Sequence, residues 1–379
     1  MQRRTLLRIT RDALALAAVS PMPARAQSTG FTFYSSLAEE WYSGGSTFPW
    51  LSTTANNNRQ VVNVFHRSFG TEGKPDLVLV HGYPTCSFDY RDLIDLLQDD
   101  YRIHVLDFPG FGFSDKPQPD YHYMIEDDAR LLDHFVDQVL GLESFHLFTH
   151  DRGVSVGLAF LGHYLDRPAN DYRITYHFMS NSGMFLPLAT LSEQQTVLLD
   201  PVRGPEAIAR LKAQPRLTEG DPVQVAYADI HAFNDGIGAR LHVGKYLLER
   251  AANETRWLDN LHRSPIPTGY LWGLLDPVNP VRIANHVWAT YLNDREVESS
   301  FWYLPTAGHY PQRDKPGAVA EVIRTCLNGQ VPSRAEEDNY IRRSTAQRRS
   351  ADDPLLVGHS TIRPMSFPGA VEYSPDGYR

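Results

Sequence analysis

The chain has 379 residues, of which 42% are hydrophobic and 21% are charged, enough to bury one large domain or a domain with an insertion. Its formal net charge of −9 argues against nucleic acid and against an anionic membrane surface as the main partner. The two cysteines, Cys86 and Cys326, exclude a disulfide framework and a cysteine-based metal site. A single bridge between them stays open, although two buried free thiols are the simpler interpretation.

The first 26 residues have the pattern of an export signal. The paired arginines Arg3 and Arg4 precede a weakly apolar run, and Ala24-Arg25-Ala26 forms a small-x-small cleavage site. Paired arginines are typical of the twin-arginine route, so the sequence predicts export to the periplasm. A disordered basic leader is the alternative. No later run reaches the ~20 apolar residues that a membrane span requires.

From about residue 60 to residue 332, predicted strands and helices alternate, which indicates a mostly parallel sheet with helices on both faces. Besides the strand that precedes Asp151, the predicted strands are Gln60–Phe69, Asp76–Val80, Arg102–Leu106, Ile174–Met179, Ile266–Leu274 and Ser299–Leu304. The predicted helices outside the elbow are Phe88–Leu97, Met124–Leu140, Val281–Leu292 and Ala318–Leu327.

Two segments break this alternation. Residues 183–265 lack strand signals, and we predict that they form a helical cap inserted into a core made of residues 27–182 and 266–332. Residues 333–379 carry arginine pairs, scattered Pro and Gly and no sustained apolar period. This composition predicts a loosely ordered tail or an extension that wraps along the surface.

The stretch from Phe145 to Gly157 has the sequence shape of a nucleophile elbow, which is a strand, a sharp turn and a helix. Asp151 is the turn residue, and Gly153 supplies the small residue that such a turn requires behind it. A carboxylate with an ordinary pKa of about 3.9 is ionised at neutral pH, so it can attack an electrophilic carbon without a base. The resulting ester then needs a histidine to activate water. The alternative is that Asp151 only caps the helix.

Other chemistry-bearing residues follow predicted strands, at the edge of an open α/β sheet where ligands bind. Asp276 follows one strand and His309 follows the strand that ends at Leu304. With Asp151 they give the chain order nucleophile, acid, histidine, which is the order of α/β-hydrolases. Asp107 also follows a strand, and we predict that it holds the glycine-rich loop after it.

These motifs resemble the α/β-hydrolase superfamily, and within it the Asp-nucleophile branch of epoxide hydrolases and dehalogenases. Four stretches look like the mesoderm-specific transcript protein group: Leu106–Pro117, Ser180–Gly183, Leu275–Pro280 and His309–Gln312. The resemblance covers roughly residues 60–330. It implies an α/β-hydrolase fold with a mostly parallel eight-stranded sheet, helices on both faces, an inserted helical cap, and neither cofactor nor metal.

Carried over to this sequence, the resemblance makes Asp151 the nucleophile, Asp276 the acid that orients the histidine, and His309 the base that activates water. The backbone N–H groups of Tyr83 and Arg152 would form the oxyanion hole. The peptide bond after Tyr83 would be cis.

A leaving oxygen needs a proton donor, and the epoxide hydrolases that this chain resembles use cap tyrosines. Tyr246 occupies a comparable place and Tyr227 is a second candidate. Packing within a helix is the alternative role for Tyr246.

Arginine next to the nucleophile looks like the fluoroacetate dehalogenases, where it binds the substrate carboxylate. The second arginine of those enzymes is absent here, and the alternative is that Arg152 pairs with an acidic neighbour. The sequence therefore favours an exported epoxide hydrolase that acts on an apolar small molecule. A haloalkane or halo-acid dehalogenase is the first alternative, and a catalytically silent binding protein on the same fold is the second.

Overall fold

The computed structural model describes residues 30–169, 171–332 and 350–360. Residues 1–26 lie outside this range, so export stays a prediction. Within the described range, no helix is long and apolar enough to cross a membrane. Cys86 and Cys326 are both buried and unpaired, which agrees with the simpler interpretation of the sequence.

A single nine-stranded sheet organises the described chain, in the order β1-β2-β4-β3-β5-β6-β7-β8-β9. The strands are β1 Ser46–Leu51, β2 Val61–Phe69, β3 Asp76–Val80, β4 Arg102–Leu106, β5 Ser144–His150, β6 Arg173–Ser180, β7 Thr268–Gly273, β8 Ser299–Leu304 and β9 Leu355–His359. Strands β3 to β8 run parallel, whereas β1–β2, β2–β4 and β8–β9 are antiparallel pairs. The predicted mostly parallel sheet is confirmed, with nine strands instead of eight.

Both faces of this sheet are covered, as the apolar runs of its central strands require. In β3, Leu77 and Leu79 pack into one hydrophobic cluster and Val78 and Val80 into another. The helices that supply this cover, and those inserted after β6, are α1 Ser36–Ser43, α2 Arg91–Leu97, α3 Ile125–His134, α4 Arg152–Leu165, α5 Glu193–Val197, α6 Arg203–Lys212, α7 Pro222–Ala232, α8 Gly236–Val243, α9 Tyr246–Arg263, α10 Val281–Val287, α11 Pro311–Asp314 and α12 Pro316–Leu327. Single π-helical turns, Phe135–Val139 and Trp288–Leu292, extend α3 and α10.

Helices α5 to α9 lie between β6 and β7, in the segment predicted as a cap. Helix α9 is tied to the core through Glu249, whose carboxylate accepts hydrogen bonds from the backbone N–H groups of Ile125 at 2.6 Å and Glu126 at 3.1 Å. These N–H groups begin α3 and have no partner within that helix. The residue before them, Met124, supplies no capping side chain. A side chain of α9 therefore caps a helix of the core.

Within the segment predicted as a loosely ordered tail or a surface-wrapping extension, residues 355–359 form β9 along the edge of β8, which favours the second alternative there. Leu356 is buried in the core, and the hydroxyl of Ser360 donates to the carbonyl of Val297 and accepts from the N–H of Ser299, both at 2.8 Å. These contacts anchor a short apolar segment within an otherwise polar stretch. Residues 333–349 and 361–379 lie outside the described range.

Candidate active site

Asp151 lies at the turn between β5 and α4, next to the point where the strand order reverses between β3 and β5. Its backbone has φ 51° and ψ −119°, a strained conformation for a residue other than glycine. The turn is tightly packed, because a Cβ added to Gly82 would lie 2.5 Å from the Cβ of Asp151. The buried carboxylate makes no capping hydrogen bond to α4, which argues against the helix-cap alternative.

The structure brings Asp151, Asp276 and His309 together at the carboxyl edge of the sheet. Nδ1 of His309 lies 2.9 Å from Oδ2 of Asp276, and Nε2 lies 3.7 Å from Oδ2 of Asp151. One imidazole therefore bridges the two carboxylates. This is the arrangement in which a histidine can take a proton from a water that attacks an Asp151 ester.

Asp276 is held by two asparagines that the sequence motifs contain but to which sequence analysis gives no role. The N–H of Asn279 donates to Oδ1 of Asp276 at 2.9 Å, and the side-chain amide of Asn181 donates to Oδ2 at 2.9 Å. The side-chain nitrogen of Asn279 also lies 3.5 Å from Oδ2 of Asp151 and 3.5 Å from Nδ1 of His309. Their places, directly after β6 and in the turn after Asp276, are the signal that could have identified them.

Neighbouring charges set the protonation of the three groups. Burial raises the pKa of Asp151, but the positive charges of His309 and Arg250 outweigh it, so this pKa is lowered overall. Burial likewise raises the pKa of Asp276, and the hydrogen bond to His309 lowers it below the ordinary value. Burial lowers the pKa of His309, but the hydrogen bond to Asp276 and the charge of Asp151 raise it above 6.5. The free site therefore favours an ionised Asp151 facing a protonated His309.

The predicted oxyanion donors border the carboxylate. The N–H of Tyr83 donates to Oδ1 of Asp151 at 2.8 Å, and the peptide bond after Tyr83 is cis, as predicted. Arg152 is the first residue of α4, where a backbone N–H has no partner within the helix. An oxygen of Asp151 that gains negative charge during ester hydrolysis would thus have a donor already in place.

The side chain of Arg152 is held in the interior by an acidic neighbour. Its Nη2 lies 2.5 Å from Oδ2 of Asp128, and the side chains of the pair are only 1% and 6% exposed. The guanidinium also packs within 6 Å of the ring centres of Phe108, Phe111 and Tyr246. The structure therefore agrees with the alternative that Arg152 pairs with an acidic neighbour.

The two tyrosines predicted as proton donors occupy different places. Tyr246 is buried with its ring 5.5 Å from the ring of Tyr83, and burial together with the charge of Asp151 raises its pKa to about 12, although Arg250 opposes this. Tyr227 instead donates its hydroxyl hydrogen bond to Asp89 at 2.6 Å. Tyr246 thus remains a proton-donor candidate, whereas Tyr227 is engaged elsewhere.

A cavity of about 580 Å³ lies over Asp151, between the core and the helices after β6. Its core side includes Tyr83, His309 and Tyr310, and its other side is formed by residues from 192 to 214 together with Arg240. Within the described range, no three His, Cys, Asp or Glu side chains are arranged to hold a metal ion. The arrangement places a carboxylate, an imidazole and backbone N–H groups around one cavity.

Comparisons with known proteins agree with the resemblance drawn from the motifs. A model of the alpha/beta hydrolase family matches residues 77–322. The putative hydrolase LipZ of Mycobacterium tuberculosis is 34% identical over 301 residues, covering 76% of this chain and 97% of LipZ. The mesoderm-specific transcript homolog protein of Homo sapiens is 29% identical over 303 residues, covering 73% and 83%. Haloalkane dehalogenase 2 of Mycobacterium tuberculosis is 30% identical over 268 residues, covering 66% and 86%.

Proposed function

The chain belongs to the α/β hydrolase family, and from this premise we propose that it is a hydrolase whose Asp151 forms a covalent ester with a substrate carbon. The observation that carries the proposal is the position of His309, with Nε2 3.7 Å from Asp151 and Nδ1 2.9 Å from Asp276. An ionised aspartate needs no base for its own attack, so this histidine is available for the water that cleaves the ester.

The substrate class that we propose is an epoxide. An oxygen of Asp151 attacks one epoxide carbon, the C–O bond breaks, and the leaving oxygen takes a proton from the hydroxyl of Tyr246. His309 then removes a proton from water, and the water oxygen attacks Cγ of Asp151. The oxyanion on the Asp151 side chain is stabilised by the N–H groups of Tyr83 and Arg152. Its collapse passes the remaining water proton to the leaving oxygen, releases the diol and restores the carboxylate. The proton that His309 gives up before it acts as the base replaces the one lost by Tyr246, and the proton taken from water leaves His309 protonated again.

The charges favour this order of steps. Ester formation neutralises Asp151, which removes one of the influences that raise the pKa of His309, while the hydrogen bond to Asp276 remains. The imidazole therefore loses its proton more readily once the ester exists, and a neutral imidazole is the form that can act as a base.

A dehalogenase that uses the same nucleophile is the second candidate, favoured by the 30% identity to haloalkane dehalogenase 2. A halide leaves as a stable anion, so this reaction needs no proton donor. The buried ion pair of Arg152 with Asp128 removes the argument for a halo-acid substrate that arginine next to the nucleophile provided.

The ester is tested with His309→Gln, which should complete the first half-reaction and stall before hydrolysis. Intact-protein and peptide mass spectrometry after incubation with epoxides and haloalkanes should find the substrate mass on the peptide that contains Asp151. Asp151→Asn is the control and should acquire no adduct. An adduct on another residue, or substrate loss without any adduct, would contradict the mechanism.

The Tyr246→Phe variant distinguishes an epoxide hydrolase from a haloalkane dehalogenase. If an epoxide is opened, this variant should form diol about 10²- to 10⁴-fold more slowly, which is the usual worth of general-acid help. Tyr303→Phe is the matched control, because that hydroxyl lies at the surface and bonds Asn285. Halide release that continues unchanged in Tyr246→Phe would favour the dehalogenase. A binding protein would release neither product.

A further inference from the structure

Arg240 differs from the other deeply placed arginines. Arg152, Arg250 and Arg295 are fully buried, and each donates hydrogen bonds to other residues of the chain. The side chain of Arg240 makes no hydrogen bond or ion pair among residues 30–169, 171–332 and 350–360, and its Nε is buried without a partner. Its guanidinium lines the cavity that also contains Asp151.

A largely buried guanidinium without a partner is unfavourable, because arginine stays charged in proteins and must lose much of its hydration. Burial lowers the pKa of Arg240, and the hydroxyls of Tyr83 and Tyr310 oppose this. In the part of the chain that the structure describes, no carboxylate forms an ion pair with Arg240. A planar guanidinium matches a carboxylate through paired hydrogen bonds, so an anionic ligand would supply the missing partner.

The other residues that line the cavity indicate which groups would contact the rest of such an anionic ligand. Val197, Leu198 and Ile208 provide apolar wall, and Arg210 adds a second guanidinium at an exposed position. Asp151 is the only acidic residue in the lining. The cavity therefore combines apolar wall with the nucleophile and a partly buried cation in the same space.

We propose that the substrate is an amphiphilic carboxylate that places its electrophilic carbon at Asp151 and its carboxylate on the guanidinium of Arg240. This inference deepens the proposed function and rests on it. The sequence analysis predicts an apolar small molecule as the substrate. The inference keeps this apolar body and adds a carboxylate at one end. One partly buried guanidinium matches the single charge of a carboxylate, and a phosphate monoester serves as a comparison ligand in the test.

Turnover is tested with a series of epoxy carboxylic acids of increasing chain length, each paired with its neutral primary amide. The unmodified enzyme should prefer the acid of optimal length by about 10- to 100-fold in kcat/KM, the worth of a hydrogen-bonded charge. Arg240→Gln should lose this preference, with kcat/KM for the acid falling to about the level of its amide. Arg240→Lys should recover part of it, and Arg210→Gln should keep most of it.

A binding measurement without turnover distinguishes failure of the carboxylate inference from failure of the proposed hydrolase function. In the Asp151→Asn background, calorimetry should show octanoate binding about 10- to 100-fold more weakly after Arg240→Gln, with a clearly smaller loss for octanamide. Octyl phosphate that binds better than octanoate would overturn the choice of a carboxylate. Equal octanoate binding with and without Arg240 would overturn the inference, even if epoxides or haloalkanes are hydrolysed. Arg240-dependent octanoate binding without any turnover would overturn the proposed function alone.

The stability of Arg240→Gln distinguishes a ligand-binding residue from a structural one. Because the side chain has no partner in the described chain, its replacement should leave the melting temperature unchanged or raise it. A marked decrease in melting temperature would show that Arg240 supports the fold and would contradict the inference.

Discussion

Replacing Arg152 by leucine should destabilise the fold strongly. The Arg152–Asp128 pair is almost completely buried, with 2.5 Å between Nη2 and Oδ2. The substitution leaves the Asp128 carboxylate in the interior without its counter-ion, and Asp127 and Glu249 are negatively charged neighbours. Removing one partner of a buried ion pair costs about 3–5 kcal/mol, so we expect the free energy of unfolding to fall by about this amount.

A double-mutant cycle makes the reasoning quantitative. Replacing both members of a buried pair by apolar residues is often neutral or stabilising, so Arg152→Leu/Asp128→Leu should be more stable than Arg152→Leu alone. The exposed pair of Arg203 and Glu193, at 3.2 Å, is the control. Arg203→Leu should cost at most about 1 kcal/mol, as for other surface pairs.

The free energies are measured by urea denaturation, and turnover is measured at a temperature where every variant is folded. Activity of the folded Arg152→Leu should persist, since only the backbone N–H of this residue faces Asp151. The reasoning is refuted if Arg152→Leu loses less than about 1 kcal/mol, or if it remains folded and loses turnover of carboxylate substrates alone.

Three further predictions follow from features described above. Because the pKa of His309 is raised, this residue stays protonated to a higher pH than an ordinary histidine. Ester hydrolysis should therefore slow as the pH falls, and rapid-quench mass spectrometry should find more ester at pH 5 than at pH 8. Leu356→Ala in β9 should lower the free energy of unfolding by about 2–5 kcal/mol, whereas Val357→Ala, at a position 39% exposed, should stay within about 0.5 kcal/mol. Stability that is equal in the two variants would show that β9 contributes little. Lysines in place of Arg3 and Arg4 should retain the protein in the cytoplasm of a bacterial host, and cell fractionation would reveal whether it is still exported.

Sequence patterns identify the buried parallel strands well, because such strands are short, continuously apolar runs between polar turns. Asp76–Val80, Arg102–Leu106 and Ser299–Leu304 have the bounds that the sequence predicts. The edge strands β1 and β9 are not predicted. Their residues mix apolar and polar types, and their pairing depends on a neighbour elsewhere in the chain.

The positions of Asp151, Asp276 and His309 are predictable because the ends of parallel strands meet at one edge of the sheet. The positions of the residues that surround these three are harder to predict from the sequence. Arg240 and Arg250 come from helices inserted after β6, and their distance from Asp151 depends on how these helices pack. Helical spacing in the sequence predicts a buried face but does not indicate what that face contacts.

The capping of α3 by Glu249 bears on how a substrate enters. Swinging α9 away from the core would leave the N–H groups of Ile125 and Glu126 without their acceptor, and losing a helix cap costs about 1 kcal/mol or more. Helices α5 and α6 form the cavity wall and expose most of their residues to solvent. We therefore expect the entrance to the cavity to open by displacement of these two short helices, while α9 keeps its position against the core. Hydrogen exchange should then be fast in α5 and α6 and slow in α9.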